Sequence, residues 1–387
     1  MSATRHARVL RFVLDHSLLL LGGAAAGLSW GNLSPRTYLP LADAGRFLVN
    51  DVGMVFFFAL AAKEVVESTL PGGPLGSPRR AAVPVLAAVG GMVGPALLYT
   101  ALVFWRGVPH LARGWAIPCA TDIAFSSLVA RLIFGRRHGA VPFLLLLAIA
   151  DDALGLLILA LVYPAGDIDA VVFAGLLGAG LAGAWALRRA QVQSTWPYLI
   201  GPGIVCWLAC FWGGLHPALA LVPVVPFIPH ARVLHGWGMG RSTGHDPLNR
   251  FEHQWRIPVQ VILLAFGFVN AGVPLSEVGP GTWAVLVSLL VGKPAGILLL
   301  VAVASWCGLH RPAGVAWPDL LVVGCAAGIG FTVSLFFATA AFTDPLLLAQ
   351  AKMGALLSVA AAVVALAVAA LLGVGRFART GRSRVAV

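Results

Sequence analysis

The sequence predicts an all-α polytopic membrane protein that crosses the bilayer twelve times, and three observations support this fold class. Hydrophobic residues make up 59% of the 387 residues and charged residues only 11%, and the mean hydropathy is +0.90. The apolar residues fall in segments of helix length, and basic residues collect in alternate turns between them. These features are typical of proteins in which apolar helices face lipid or one another.

The apolar segments are joined by short connections that leave no room for a separate soluble domain. Their approximate bounds are 12–31, 51–70, 81–105, 114–134, 141–163, 169–187, 197–213, 215–229, 257–273, 282–305, 317–342 and 345–374. The first follows Arg5, Arg8 and Arg11 and is longer than the core of a signal peptide, so we expect an uncleaved helix. We therefore predict one membrane domain over 1–387, ending in a basic tail at 375–387.

The charges in the turns predict the orientation of the chain. If the N-terminus is cytoplasmic, the turns after the even-numbered segments return to the cytoplasm and should be basic. Those turns contain Arg79, Arg80, Arg131, Arg136, Arg137, Arg188, Arg189, Arg232, Arg241, Arg250, Arg256, His310, Arg311 and the tail from Arg376 to Arg384. The acidic residues of the opposite turns are Asp43, Asp167, Asp169, Glu277 and Asp344. Both termini are thus predicted to be cytoplasmic. The net charge of +11 lies in turns and not along a basic stripe, so no nucleic-acid partner is expected.

Two adjacent carboxylates, Asp151 and Asp152, lie near the centre of the fifth segment. One carboxylate at mid-membrane costs about 2.5 to 3.5 kcal/mol, so the pair requires protons, a counter-charge or a bound cation. Burial and mutual repulsion would make protons and a metal ion compete for the same oxygens. The pair therefore predicts cation/proton exchange. A permanently protonated or salt-bridged pair that serves only packing is the alternative.

The fourth and eleventh segments contain residues that disfavour a continuous helix. Pro118 lies in the fourth, and Gly328 and Gly330 lie in the eleventh. An unwound stretch at membrane depth is tolerated where it lines a cavity or is buried in protein, and Asp122 would neutralise the positive half-helix ends that face it. Segments three to five and ten to twelve are then candidate inverted repeats whose discontinuous helices cross. Close glycine packing is an equally open explanation of the two breaks.

The tenth segment contains Lys293 within Gly292-Lys-Pro294. The chain has 23 arginines and only three lysines, so a lysine in this apolar segment departs from its general usage. A buried lysine can release its proton, whereas arginine stays charged. Lys293 is therefore a candidate partner of an intramembrane aspartate and a candidate proton carrier, or simply a structural ion-pair partner.

Four motifs together resemble the bacterial NhaA family of sodium/proton antiporters over nearly the whole chain. They are Gly114-Trp-Ala-Ile-Pro-Cys-Ala-Thr-Asp-Ile-Ala-Phe125, Ala148-Ile-Ala-Asp-Asp152, Gly292-Lys-Pro294 and Cys325-Ala-Ala-Gly-Ile-Gly-Phe-Thr332. The resemblance implies an inverted-repeat NhaA-type fold in a bacterial inner membrane. It also implies a transporter and not an enzyme, without a cofactor apart from the transported ions.

The resemblance further implies the roles of individual residues. Asp151 and Asp152 would bind the transported Na⁺ and carry protons, with Asp152 the primary ligand. Lys293 would pair with Asp151, and Asp122 and Thr121 would lie where the broken helices cross. The implied activity is electrogenic export of Na⁺, and of Li⁺, with two protons taken up per sodium ion, for sodium and pH homeostasis.

Other positions resemble the pH-response region of the family. They are Glu64, Glu252, His253 and His216, although Val66 and Glu67 stand where the family usually has basic residues. Snorkelling at the membrane edge is an open alternative explanation of Glu64, and packing near an outer turn is one of His216. The link from Gly31 to Asn50 is shorter than in family members that carry an extracellular β-hairpin there. Because that hairpin helps those members to dimerise, we expect a homodimer weaker than theirs. Membrane lipid is the other expected partner.

Two other function classes remain as alternatives. An intramembrane aspartyl protease would use acids on different helices, such as Asp122 and Asp152. It is disfavoured by the contiguous pair and by Lys293. A passive cation channel is the other alternative, but a continuous pathway would need no site at which protons compete with the cation.

Overall fold

The computed structural model describes residues 17–229, 246–312 and 314–378, and within these ranges every regular element is helical. Several predicted features lie outside the described residues. They are Arg5, Arg8, Arg11, Arg232, Arg241 and the end of the basic tail from residue 379 onward.

Thirteen helices are numbered here in chain order. They are α1 (Leu18–Leu33), α2 (Pro35–Thr69), α3 (Pro78–Trp105), α4 (Ile123–Phe134), α5 (Ala140–Val162), α6 (Ala170–Arg189), α7 (Trp196–Gly213), α8 (Pro247–Ala271), α9 (Pro280–Trp306), α10 (Trp317–Ala327), α11 (Phe331–Ala341), α12 (Pro345–Leu357) and α13 (Ala360–Leu372). A 3₁₀ helix (Pro109–Cys119) precedes α4, and π-helical turns interrupt α2 (Leu48–Gly53), α7 (Leu199–Gly203) and α9 (Ser288–Gly292).

Proline and aspartate define where several of these helices begin. Pro247 and Pro345 occupy first positions, where the missing N–H has no intrahelical acceptor. The side chain of Asp344 accepts hydrogen bonds of 3.0 Å from the first turn of α12. Gly214 ends α7 at a φ of 82°, a conformation that favours glycine.

The apolar helices support a protein that crosses the membrane several times. Among the described residues, seven helical stretches are long and apolar enough to cross a bilayer, or nine if each of two bent pairs is one span. The bent pairs are the 3₁₀ helix with α4, at 56°, and α10 with α11, at 50°. The all-helical multi-span class is confirmed, whereas the count of twelve stays a prediction.

Three predicted boundaries differ from the structure. The eighth segment (215–229) is not a continuous helix but contains two short 3₁₀ turns, Pro217–Leu219 and Val225–Phe227. The prolines in this segment remove backbone donors that a helix would need. The link between the first two segments is itself helical from Pro35, since α2 begins there. The ninth segment begins at Pro247, ten residues before its predicted start at 257, because Asp246 and Pro247 form a helix start.

The chain divides into two compact units, each discontinuous in sequence. The first comprises Met1–Pro78 and Asp152–Pro274, and the second comprises Arg79–Asp151 and Leu275–Val387. The prediction of a single membrane domain stays a prediction.

In the first unit, α1 and α8 pack backbone against backbone. A Cβ atom added at Gly23 would lie 2.8 Å from the carbonyl carbon of Leu264, and one at Gly27 would lie 3.1 Å from that of Phe268. Glycine is therefore required at both positions for this approach, as is common between membrane helices.

The second unit contains both bent pairs and Lys293. The first bend follows Pro118 and Cys119, after which Ala120 to Asp122 leave the helix. The other bend separates α10 from α11 at 328–330. The breaks thus occur within the stretches where proline and glycine predicted them.

Candidate functional site

The two helix breaks of the second unit are hydrogen-bonded to each other. The N–H of Asp122 donates to the carbonyl of Ile329 at 2.7 Å. The hydroxyl of Thr121 donates to the carbonyl of Ala327 at 3.2 Å. Backbone groups freed by one break are therefore satisfied by the other, which a buried irregular segment requires.

The Asp122 carboxylate receives donors from both half-helices that begin at the breaks. Its Oδ1 accepts from the N–H of Phe125 in the first turn of α4, at 3.3 Å. Its Oδ2 accepts from the N–H of Thr332 in the first turn of α11, at 3.3 Å, and from the Thr332 hydroxyl. The side chain is 5% exposed. One carboxylate therefore caps two helix N-termini, where a negative charge is favourable.

Lys293 and Asp151 form an ion pair inside the second unit. Lys293 Nζ lies 2.9 Å from Asp151 Oδ2, and both side chains are fully buried. The same ammonium donates to the carbonyl oxygen of Cys119, directly before the first break. The ammonium thus connects α9, α5 and the broken segment.

The other carboxylate oxygen of Asp151 makes no hydrogen bond of ordinary length, although Thr121 lies beside this carboxylate. Asp151 Oδ1 is buried and has no hydrogen-bond partner among the described residues. A buried charged oxygen without a donor is costly, so this atom is suited to coordinate a cation. Asp152 follows in α5 and is half-buried.

The backbone around Lys293 is irregular and closely packed. A π-helical turn over Ser288–Gly292 immediately precedes Lys293. A Cβ atom at Gly292 would lie 2.8 Å from Pro95 Cα of α3. Single π-helical turns occur frequently at functional sites.

The first unit contains a separate ionic cluster made of Lys63, Glu67 and Glu252. Lys63 Nζ lies 2.7 Å from Glu67 and 2.5 Å from Glu252. Lys63 is only 4% exposed, whereas Glu64 and His253 are exposed. Of the predicted pH-response residues, the structure brings Glu252 into this cluster.

His216 and Asp51 lie close together in the first unit, away from that cluster. The Nδ1 atom of His216 accepts from the N–H of Ala218 at 3.3 Å and lies 3.9 Å from Asp51 Oδ1. Burial lowers the pKa of His216 from 6.5 to about 4. The imidazole therefore stays neutral at physiological pH.

Comparison with known proteins identifies the family. The family profile described as Na⁺/H⁺ antiporter 1 matches residues 30–371. The chain belongs to this family. The antiporter NhaA of Desulfitobacterium hafniense is 45% identical over 376 residues, covering 95% of this chain and 97% of that protein. The NhaA of Geobacter metallireducens is 44% identical over 388 residues, covering 95% and 98%.

A more distant likeness concerns the fold alone. The structure of the sodium proton antiporter MjNhaP1 from Methanocaldococcus jannaschii at pH 8 is similar with a TM-score of 0.55 and 14% identity. It covers 93% of this chain and 92% of that one. The resemblance found in the four sequence motifs is confirmed, and members of the Na⁺/H⁺ antiporter 1 family are transporters and not enzymes.

For this member of the Na⁺/H⁺ antiporter 1 family, sequence reasoning missed several polar groups near the predicted residues. Thr332 ended a recognised motif but was not singled out as a partner of Asp122. The Cys119 carbonyl carries no side-chain signal, so its bond to Lys293 is invisible in sequence. Asn50 and Asn270 form a buried pair in which Asn270 donates to Asn50 at 2.8 Å. The presence of a polar amide side chain in each of two apolar helices could have predicted this pair from the sequence.

Proposed function

We propose that the chain is a secondary antiporter that exports Na⁺ in exchange for protons. The proposal rests chiefly on the buried Lys293–Asp151 pair, in which one Asp151 oxygen has no partner among the described residues. Membership of a sodium/proton antiporter family supports it. Asp151 and Asp152 are the proposed ligands of the transported Na⁺, with Asp152 the primary one.

Competition between Na⁺ and the lysine supplies the mechanism. Without Na⁺, the ammonium of Lys293 compensates the charge of Asp151 in surroundings where an unpaired ion is expensive. A cation bound to Asp151 and Asp152 replaces that compensation, so the ammonium leaves and releases its proton. When the site faces the other side, protons displace Na⁺ and the pair re-forms. Each ion thus excludes the other, which couples the two fluxes.

Asp122 and Thr121 have a supporting role in this proposal. Asp122 accepts three hydrogen bonds from the starts of α4 and α11, so its charge is already compensated by the protein. It keeps the breaks together and does not carry the transported proton. Thr121 holds the same junction through the Ala327 carbonyl.

The finer properties follow the family resemblance. Two protons per Na⁺ would move net positive charge inward, so the membrane potential drives export at about 2.3 kcal/mol per charge per 100 mV. Li⁺ would be transported as well, and the physiological role would be sodium and pH homeostasis. The transported ions are the only non-protein components of the cycle.

We further propose twelve spans in a bacterial inner membrane, with both termini cytoplasmic. The two bent pairs of the second unit, at 56° and 50°, support inverted repeats with crossing discontinuous helices. The basic turns support the orientation. Membrane lipid surrounds the protein. We also propose a homodimer that is weaker than the dimers of family members with the extracellular β-hairpin.

A pH response is proposed for the cytoplasmic end of α2 and α8. Its candidates are Glu64, Glu252 and His253, of which Glu252 belongs to the Lys63 cluster. His216, near a predicted outer turn, is a further candidate away from that end. The neutral His216 favours the cluster as the responding element.

Reconstitution tests the proposed exchange. Purified protein is placed in proteoliposomes that hold a pH gradient and a pH-sensitive dye, and Na⁺, Li⁺ or K⁺ is added outside. We expect Na⁺ and Li⁺ to dissipate the gradient, and the response to K⁺ measures the ion selectivity. Cation uptake that persists without any pH gradient or proton movement would indicate a channel and contradict the proposal.

A further inference from the structure

Ser288, the first residue of the π-helical turn in α9, has a buried hydroxyl that the exchange mechanism above does not use. Its side chain is 0% exposed, and its Oγ has no hydrogen-bond partner among the described residues. Several other helical hydroxyls bond to a carbonyl three or four residues earlier, as Thr100 does to Ala96 and Ser305 to Val301, both at 2.8 Å. The Ser288 hydroxyl makes no such hydrogen bond to a backbone carbonyl, so the burial of this polar group requires another explanation.

The π-helical turn links Ser288 to Lys293. The N–H of Lys293 donates to the carbonyl of Ser288, five residues earlier. Helical side chains lean toward the preceding turn, so we expect the Lys293 side chain to lie over the turn that contains Ser288. The hydroxyl and the ammonium therefore belong to the same stretch of α9.

Close packing surrounds the backbone of α9 at Lys293. A Cβ atom at Gly296 would lie 2.8 Å from Gly94 Cα, and one at Gly292 would lie 2.8 Å from Pro95 Cα. The backbones of α9 and α3 are thus already in contact on both sides of Lys293. This packing favours rotation of the side chain as the way for the ammonium to leave Asp151, and the displaced group then needs a new acceptor inside the protein.

We propose that the Ser288 hydroxyl is that acceptor and acts as a positioning residue for cation exchange. It receives the Lys293 amino group when Na⁺ displaces it from Asp151. This inference rests on the proposed function. In the ion-paired state the hydroxyl is unsatisfied, whereas in the cation-bound state it is paired, so it shifts the equilibrium toward cation binding.

Two substitutions at Ser288 test this role. Ser288→Ala and Ser288→Cys both remove the oxygen acceptor, but alanine shortens the side chain and cysteine enlarges it slightly. Ser305→Ala on the same helix is the matched control, because the Ser305 hydroxyl is already bonded to Val301. The readouts are KM and kcat for Na⁺ in proteoliposomes, and the Tm with and without Na⁺.

Loss of the acceptor should weaken cation binding in both variants. We expect KM for Na⁺ to rise about fivefold, the effect of losing one hydrogen bond, with kcat changed less. The Na⁺-induced rise in Tm should shrink in both variants and stay at the wild-type size in Ser305→Ala. In the absence of Na⁺, Ser288→Ala should be as stable as wild type or more stable.

Several results would overturn the inference. Wild-type KM and an unchanged Na⁺-induced Tm shift in both variants would exclude an acceptor role. An effect in only one of the two would indicate packing. These outcomes leave the proposed function intact if the wild-type protein exchanges Na⁺ for protons. Absence of exchange in the wild type would remove the proposed function and this inference together.

Discussion

Lys293 Nζ and Asp151 Oδ2 lie 2.9 Å apart, and both side chains are completely buried. Each charge has the other as its ionic partner, and the ammonium also donates to the Cys119 carbonyl. Removing one partner of such a pair leaves an unpaired buried charge and typically costs about 3 to 5 kcal/mol, whereas removing both can be nearly neutral. The pair therefore stabilises the folded protein, and a cation that binds Asp151 would replace the ammonium of Lys293 as its counter-charge.

The first prediction concerns the stability of this pair. Lys293→Ala should lower the Tm because Asp151 loses its counter-charge, and Lys293→Arg should preserve stability better than transport, since arginine does not release its proton. A Lys293→Met/Asp151→Asn double variant should regain much of the stability that Lys293→Met loses. If Lys293→Ala is as stable as wild type and carries the same Na⁺-dependent current, both the pairing and the proton-carrier role are wrong.

The second prediction separates Asp122 from the transport site. Asp122→Asn keeps one oxygen acceptor but loses the charge at the starts of α4 and α11. Stability should fall by about 1 kcal/mol, because a negative charge at two helix N-termini is lost, and measurable exchange should remain. Thr332→Val, which removes only the hydroxyl donor, should have a smaller effect. Complete loss of exchange in folded Asp122→Asn protein would place Asp122 among the ion-binding residues.

The third prediction concerns the Lys63 cluster. Lys63 has almost no contact with solvent and depends on the carboxylates of Glu67 and Glu252. Glu252→Gln should therefore lower the Tm and move the pH at which exchange is half-maximal. Arg250→Gln, at an exposed position of the same helix, is the matched control and should change neither. Equal effects of the two substitutions would argue against a role of the cluster.

The fourth prediction follows from the pKa of His216. Because burial lowers it from 6.5 to about 4, the unfolded chain takes up a proton between these pH values while the folded chain does not. His216 therefore costs stability increasingly as pH falls from 6.5 toward 4, and has no such effect above 6.5. His216→Asn keeps an acceptor for the Ala218 N–H. Its Tm relative to wild type should be higher at pH 5 than at pH 8, and its exchange should keep the wild-type pH profile. The same Tm difference at both pH values would contradict a lowered pKa.

Sequence reasoning located the apolar helices and both helix breaks because hydropathy, proline and glycine act locally. The Lys293–Asp151 pair was predictable from the cost of an unpaired charge in an apolar segment together with the family resemblance. The sequence-based prediction missed the helix that starts at Pro35 and the 3₁₀ turns near Pro217, because short proline-containing segments do not determine their own conformation. Contacts to backbone carbonyls, such as Lys293 with Cys119, depend on tertiary packing and have no sequence signature.

The most direct test of the account is the Na⁺-dependent current of Asp152→Asn protein in proteoliposomes on a supported membrane. The amide keeps the shape of the side chain but cannot titrate, and it binds a cation only weakly. Wild-type protein should give a current that increases with Na⁺ concentration, and folded Asp152→Asn protein should give none. A wild-type current in Asp152→Asn would contradict the claim that the carboxylates of α5 carry the exchanged ions.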